Sequence, residues 1–229
     1  MKAYFLIICS ILCLATGLSA QKNDKYTVLA GTRVQDCIPF LEQYRYPEFR
    51  EGTVLFKNGV NVVVMLNYNL LHSELQYIQL QDTLSIANEK DIKVIAVAGD
   101  TFYFDKGYLE MIYNGPVKVA LKQYIKQMQV IKKDSYGSAG SNSATDSYNS
   151  IQADGQTYKL ILNHDRIFNK IEEYYLVASS GEFVPFTKKK VFQLFPQKKK
   201  AIEAYLKSKK VYFDSREDLL RFAAYLIAM

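Results

Sequence analysis

Residues 52–68 read GTVLFKNGVNVVVMLNY, and this stretch decides the fold. It places Asn58-Gly59 between two apolar runs, and this pair favours a tight turn because both residues tolerate a positive φ. Beyond the turn, alternate positions from Val60 to Tyr68 would share one face, because successive side chains of a strand point to opposite sides. The stretch therefore predicts a β-hairpin closed by a type I′ turn.

Further strands are predicted on the C-terminal side of this hairpin. In the run that begins at Val117, Val119 and Leu121 alternate with Lys118 and Lys122, which predicts a strand with one face in solvent. Turn residues separate this run from shorter runs of apolar and aromatic residues. The shorter runs occupy residues 73–80, 82–87, 92–98, 101–104 and 108–113. Short strands joined by short turns predict an antiparallel β meander, folded as an open sheet, a sandwich or a partial barrel.

Composition divides the rest of the chain into three parts. We predict a β-rich domain over residues 24–133, a Ser/Gly/Asn-rich linker over 134–156 and a small strand-plus-helical domain over 157–229. The linker has almost no aliphatic residues to bury, so we expect a tether or a surface loop.

Helical periodicity begins late in the chain, after short strands that flank a Ser-Ser-Gly turn at 179–181. Thr187 is expected to cap a helix over 188–195, and a second helix is expected over about 197–209. Asp214 or Ser215 is expected to cap a last helix. Together with the meander, this C-terminal module of short strands and about three helices predicts an α+β fold.

The N-terminus has the pattern of a secretory signal peptide over residues 1–20. Lys2 precedes an apolar run from Tyr4 to Leu18, and cleavage is expected after Ala20. Removal of this segment would leave Cys37 as the sole cysteine, which excludes an intrachain disulfide. No second long apolar run follows, so no transmembrane span is expected in the mature chain. We expect an exported protein in the periplasm, at the outer membrane or outside the cell.

Several different short motifs are distributed along the mature chain. In the N-terminal half they occupy residues 52–54, 58–59, 66–71 and 74–78, and in the C-terminal half 189–190, 194–196, 202, 205–207 and 217–219. These motifs resemble a family of uncharacterised exported proteins of Bacteroidota, and the Ala20-Gln21 junction fits such proteins. The resemblance implies a location in the cell envelope and implies no activity.

The residue types argue against most catalytic sites. Zinc needs three or four ligands, and two histidines with one mature cysteine are too few, so neither a metal nor another cofactor is expected. His164-Asp165 are adjacent and rarely able to point the same way, so a surface turn is expected there, while His72 is expected at a strand end. Cys37 is expected to be a semi-buried, inert thiol.

Paired carboxylates are the catalytic option that composition leaves open. A glycosidase needs two acids on opposite sides of a cleft. The candidates among the predicted strands are Glu74, Asp82, Asp100, Asp105 and Glu110. The alternative function is therefore a carboxylate-dependent hydrolase acting on envelope or extracellular polysaccharide.

Lysines are concentrated in the C-terminal helices. The 29 basic residues only modestly exceed the 23 acidic ones, so charge alone does not indicate nucleic-acid binding. One interpretation is solvated helix faces with favourable charges near helix C-termini. The other is a basic face that contacts an anionic membrane surface, an acidic polysaccharide or an acidic protein. The possible contact residues are Lys188, Lys189, Lys190, Lys198, Lys199 and Lys200.

Aromatic residues between these lysines bear on the choice of partner. Phe192, Phe195 and Tyr205 resemble the stacking residues of nucleic-acid proteins, but their spacing fits a helix core better. Export also argues against a nucleic-acid partner. The leading hypothesis is a non-enzymatic exported envelope protein that acts as a binding or scaffolding module.

Overall fold

The structure is a computed structural model that describes residues 25–133, 139–142, 152–153, 156–157, 162 and 164–228. The predicted signal peptide, residues 1–20, and most of the predicted linker lie outside the described residues. Strands in the described part are β1 (Lys25–Val28), β2 (Arg50–Phe56), β3 (Asn61–Asn69), β4 (Glu74–Gln79), β5 (Asp82–Ser85), β6 (Ile92–Val97), β7 (Asp100–Phe104), β8 (Tyr108–Asn114), β9 (Lys118–Lys133), β10 (Ala139–Asn142), β11 (Gln152–Ala153), β12 (Gln156–Thr157), β13 (Asp165–Val177) and β14 (Phe183–Pro185). The helices are α1 (Val34–Cys37), α2 (Phe40–Gln43), α3 (Lys188–Leu194), α4 (Lys199–Ser208) and α5 (Arg216–Ala228).

Twelve strands of the described chain form one antiparallel sheet, which confirms a β-rich α+β fold with a large open sheet. Its main path has the order β1-β13-β9-β8-β7-β6-β2-β3-β4-β5, while β10 pairs with β9 and β14 pairs with β13. Strands β2 to β5 form one meander and β6 to β9 form another. The two meanders join through the pair β2–β6. The single meander that the sequence predicts is therefore interrupted after β5, because β6 pairs with β2 and not with β5.

The hairpin predicted from residues 52–68 is present, although its turn differs from the prediction. The Phe56 N–H donates to the Val60 carbonyl oxygen at 2.9 Å, which leaves three residues in the loop. Within that loop only Gly59 has a positive φ, at +88°. The Asn58 side-chain oxygen accepts the Val60 N–H at 3.0 Å and so stabilises the loop. This geometry is that of a three-residue loop ending in a left-handed glycine, so the type I′ prediction is wrong here.

A type I′ geometry occurs instead between β6 and β7. Val97 pairs with Asp100 across the turn, and the two residues between them, Ala98 and Gly99, have φ values of +52° and +88°. Glycine adopts this region freely. Alanine carries a steric cost there, because its Cβ approaches the following carbonyl oxygen.

The pair β9–β13 joins the two halves of the chain. The two strands are antiparallel over residues Asp165 to Leu176 of β13, and β1 pairs with the other edge of β13. Because β13 lies within residues 157–229 and β9 within residues 24–133, a single sheet spans both predicted domains. The division of the chain into domains stays a prediction.

The described residues of the predicted linker are paired as strands. Residues 139–142 form β10 against β9, while β11 and β12 form a separate two-stranded sheet. Backbone hydrogen bonds make these pairs, and they do not need apolar side chains. A composition poor in aliphatic residues therefore gave no indication of them.

Two hydrophobic cores lie along one face of β9. Ile125 belongs to the first core, whereas Val119 and Leu121 belong to the second. Gln123 lies between them on the same face, and its Nε2 donates to Glu172 Oε1 on β13 at 2.7 Å. Residues two apart on a strand share a face, so this polar pair separates the two cores along a continuous surface.

The first core is enclosed by curvature of the sheet. The end of β3 reaches β9 even though four strands lie between them in the sheet order. The Tyr68 hydroxyl donates to the Gln123 carbonyl oxygen at 2.7 Å, and the Ile125 N–H donates to the Leu70 carbonyl oxygen at 2.8 Å. This closure leaves Leu66, Tyr68 and Leu70 almost fully buried.

Helices α3, α4 and α5 cover the second core. Thr187 caps α3 as predicted, since its Oγ1 accepts the Lys190 N–H at 3.3 Å, and Ser215 caps α5 by accepting the Asp218 N–H at 3.4 Å. The buried side chains of the helices are Val191, Ile202, Leu219, Phe222, Ala223 and Leu226. Burying a large apolar side chain contributes roughly 1.5–3 kcal/mol. Packing therefore stabilises these short helices more than their intrinsic propensity does. In the described part of the chain, no helix combines the length and apolar character needed to cross a membrane.

Replacing Ala98 by Asn is expected to stabilise the protein. Asn adopts left-handed geometry more readily than Ala, so Ala98→Asn should raise the free energy of unfolding by about 0.5–1 kcal/mol. Ala96, an exposed residue of β6, provides the control. Ala96→Asn should lower stability, because Asn is disfavoured in strands. Urea unfolding of both variants measures this, and an unchanged or lower stability of Ala98→Asn would contradict the turn assignment.

Candidate anion-binding groove

Both predicted lysine triplets lie at the N-terminal ends of helices. Residues 188–190 form the first turn of α3, and residues 198–200 lie at the start of α4; neither first turn contains an acidic residue. Favourable charge near a helix C-terminus therefore does not apply to Lys188, Lys189 or Lys199, whereas Lys198 does lie beside the C-terminal end of α5. A helix N-terminus carries the positive end of the dipole, so an exposed lysine there costs on the order of 0.3–1 kcal/mol. A charge arrangement that opposes stability is common at functional sites.

The two triplets contribute to one groove on the α3–α4 surface, which we call the basic groove. Its volume is about 600 Å³, and it is shallow and largely open to solvent. The lining residues are Lys188, Lys189, Phe192, Gln193, Pro196 and Lys199. The groove thus combines ammonium groups, one amide and a small apolar surface.

Phe192 connects the lysines of the two helices. Lys188 Nζ and Lys199 Nζ each lie 5.7 Å from the centroid of its ring. An ammonium group near an aromatic ring gains about 0.5–1 kcal/mol at exposed sites. The ring is half-buried and packs against the second core, so its position is fixed by the fold. Phe192 therefore keeps two positive charges from different helices close together.

Among the residues that the structure describes, no carboxylate neutralises the charges in the basic groove. Within the described residues, Lys188, Lys189 and Lys199 form no ion pair with a carboxylate. All three are exposed to solvent. The groove is therefore able to attract an anion without first breaking an internal pair.

The other predicted contact lysines have different surroundings. Lys198 Nζ donates to the Leu226 carbonyl oxygen at 3.5 Å, near the C-terminal end of α5. Lys190 is half-buried, and Lys200 is exposed but does not line the groove. The structure thus brings three of the six predicted lysines together.

Sequence reasoning missed the apolar part of the groove. It treated Phe192 as a core residue, yet Lys188 and Phe192 are four residues apart and so share one side of α3. Pro196 begins the short turn that connects α3 to α4, and Lys199 follows in the first turn of α4. The i,i+4 spacing was the available signal. The approach of α4 to α3 was not readable from the sequence.

Two predicted acids, Asp100 and Glu110, come together around Arg45. Arg45 Nε lies 2.9 Å from Glu110 Oε2, and Arg45 Nη2 lies 3.0 Å from Glu110 Oε1 and 3.3 Å from Asp100 Oδ2. The Tyr46 hydroxyl donates to Asp100 Oδ2 at 2.7 Å. Burial raises the pKa of Tyr46 and the bond to Asp100 raises it further, so this phenol stays a donor. The network ties the segment after α2 to β7 and β8.

Glu74 and Glu89 form a second acidic group. Glu74 is buried, and its Oε1 accepts a hydrogen bond from Gln76 Nε2 at 2.9 Å. Burial raises the pKa of Glu89, and the charge of Glu74 raises it further. Burial also lowers the pKa of His72, against the opposing effect of Glu74. A carboxyl group with a raised pKa beside a second carboxylate has the chemistry of a general acid.

The remaining candidates do not form a catalytic group. Asp165 Oδ1 accepts the Ala30 N–H at 2.8 Å and so holds the end of β1, while His164 is exposed. Cys37 is exposed and donates to Thr32 Oγ1 at 3.3 Å, so its predicted half-burial is wrong. The two other predicted acids are exposed: Asp82 and Asp105. In the part of the chain that the structure describes, no three His, Cys, Asp or Glu side chains group closely enough to hold a metal ion.

The Arg45 network is expected to serve stability. Glu110 is 5% exposed, and Glu110→Gln would leave a part-buried guanidinium without its bidentate partner, at a cost of about 1–3 kcal/mol. The exposed pair between Arg50 and Glu48, at 3.1 Å, provides the control. Glu48→Gln should change the free energy of unfolding by less than about 0.5 kcal/mol. Thermal and urea unfolding measure both, and equal effects of the two substitutions would contradict the assignment.

Comparison with known proteins gives no match: no family model, no curated protein and no solved structure is similar to this chain. The resemblance to exported Bacteroidota proteins therefore stays a prediction that depends on the quoted sequence motifs. Function has to be inferred from the groove and the acidic groups themselves.

Proposed function

We propose that this chain is an exported protein of the cell envelope that acts by binding, with the basic groove holding an anionic partner. The observation that carries the proposal is that Lys188, Lys189 and Lys199 line one shallow groove, with Lys188 and Lys199 beside the ring of Phe192.

Electrostatics supports this proposal. The groove lysines have no carboxylate partner within the described residues, so their charges add rather than cancel. They also lie in the first turns of α3 and α4, where no acidic residue offsets their charge. An anion in the groove would relieve the repulsion among these charges. Binding and local stability would then be coupled.

A carboxylate-dependent hydrolase is the second candidate, and the raised pKa of Glu89 beside Glu74 favours it. Four of the five acids predicted for that role have other surroundings. Asp100 and Glu110 are bonded to Arg45, and Asp82 and Asp105 are exposed. Neither Glu74 nor Glu89 lines the basic groove. We therefore prefer binding as the primary function.

Removal of the groove charges tests the binding function. The variant Lys188→Gln/Lys189→Gln/Lys199→Gln should bind poly-L-glutamate on the order of 100-fold more weakly at low salt, at about 1 kcal/mol per lysine near an anionic surface. Binding of the unaltered chain should weaken as NaCl rises to 0.15 M and above. Fluorescence titration measures both effects.

The control for this experiment has the same change in charge elsewhere. Lys93, Lys118 and Lys126 are exposed residues of β6 and β9. Their triple Gln variant should keep most of the affinity for poly-L-glutamate. If both triple variants lose affinity equally, attraction is a property of net charge and the groove is not the site.

Determining the N-terminal residue of the mature chain tests export. In a bacterial host the chain should be recovered outside the cytoplasm beginning at Gln21, because the leader is expected to be cleaved after Ala20. Mass spectrometry of fractionated cells measures this. Leu12→Arg, which interrupts the apolar run, should leave uncleaved chain in the cytoplasm. Intact unaltered chain free in the cytosol would contradict export.

A further inference from the structure

We propose that the ligand of the basic groove is an acidic polysaccharide, with a sugar ring against Phe192 and its anionic groups at Lys188, Lys189 and Lys199. This inference depends on the proposed binding function and names the chemical class of the ligand. It is drawn from the shape of the groove, its apolar floor and the distribution of its charges.

The shape of the groove disfavours a membrane. Proteins that lie on a bilayer insert protruding apolar side chains below the headgroups. Phe192 is instead half-buried against the second core, and lysines flank it on both helices. The groove is shallow and open to solvent, so it offers a surface along which a ligand chain can lie rather than an enclosed pocket.

The floor of the groove favours a sugar ring over an acidic peptide. Phe192 and Pro196 offer an apolar surface, and the C–H face of a pyranose can pack against it through dispersion contacts. The Gln193 amide is an additional hydrogen-bond group for a sugar hydroxyl. Acidic peptide motifs are recognised by clusters of basic side chains. The lysines alone would suit such a peptide, so the apolar floor of Phe192 and Pro196 is the feature that favours a sugar ring.

The charge distribution favours a polymer with one anionic group per sugar ring. Lys188 and Lys199 lie at equal distances of 5.7 Å from the same ring centroid, and Lys189 lines the groove beside them. Ammonium groups are mobile point charges that suit carboxylates and sulfates without fixed geometry. A ring on Phe192 would thus have lysines within reach of its own anionic group and of those on neighbouring rings.

The experiment compares polyanions that differ in the presence of a ring. Oligogalacturonate and oligo-L-glutamate with the same number of carboxylates are titrated against the full mature chain. Oligogalacturonate should bind about tenfold more tightly, which corresponds to roughly 1.4 kcal/mol. Phe192→Leu, which keeps an apolar side chain against the second core, should abolish that preference, so that the two oligomers bind this variant equally.

A matched control separates ring contact from general loss of an aromatic residue. Tyr212 is exposed and has Lys210 Nζ 4.9 Å from its ring centroid, so it is a second lysine–aromatic pair outside the groove. Tyr212→Leu should retain the tenfold preference. Circular dichroism and urea unfolding establish that both Leu variants are folded.

Each outcome has a defined meaning. If the two oligomers bind equally, or if Phe192→Leu keeps the preference, the polysaccharide inference is wrong while anion binding stands. Tighter binding to phosphatidylglycerol vesicles or to oligo(dT) would overturn it in favour of a membrane or a nucleic acid. If the triple Gln variant of the groove binds every probe as the unaltered chain does, the proposed function itself fails.

Discussion

Backbone hydrogen bonds between β9 and β13 set the positions of both hydrophobic cores. The two strands present one continuous face, and the Gln123–Glu172 pair divides that face into two apolar regions. One region is covered by the curved sheet and the other by three helices. Because the same ladder carries both cores, neither half of the sheet can shift register without exposing apolar side chains of the other.

The helices that cover the second core also create the basic groove. Their apolar sides are committed to the sheet, so their polar sides must face solvent. Packing directs the N-terminal ends of α3 and α4 so that lysines from both surround Phe192. The cost of lysines at helix N-termini is small beside the burial of Val191 and Ile202. The second core can therefore stabilise a charge arrangement that the helices alone would disfavour.

The acidic side chains of the sheet have two different kinds of surroundings. Arg45 binds Asp100 and Glu110 in a network that fixes a segment onto the sheet. Burial raises the pKa of Glu89, which lies near the charge of Glu74. The same residue type thus forms ion pairs in one place and has a shifted pKa in another. Partners brought by the fold, rather than sequence position, make the difference.

Local patterns in the sequence determined most of the strands and the three C-terminal helices, but not β1, α1 or α2. Period-two alternation and turn residues predicted the strands of both meanders, and Thr187 predicted the start of α3. These signals depend only on residues that are neighbours in the sequence. Tertiary structure decided which strands pair. In particular, it decided that β6 pairs with β2 and that β13, from the predicted C-terminal domain, pairs with β9 of the predicted β-rich domain. It also decided that three lysines meet at Phe192 and that Arg45 reaches Glu110. These contacts join residues far apart in the chain, and their energies depend on burial and distance, which local composition does not encode.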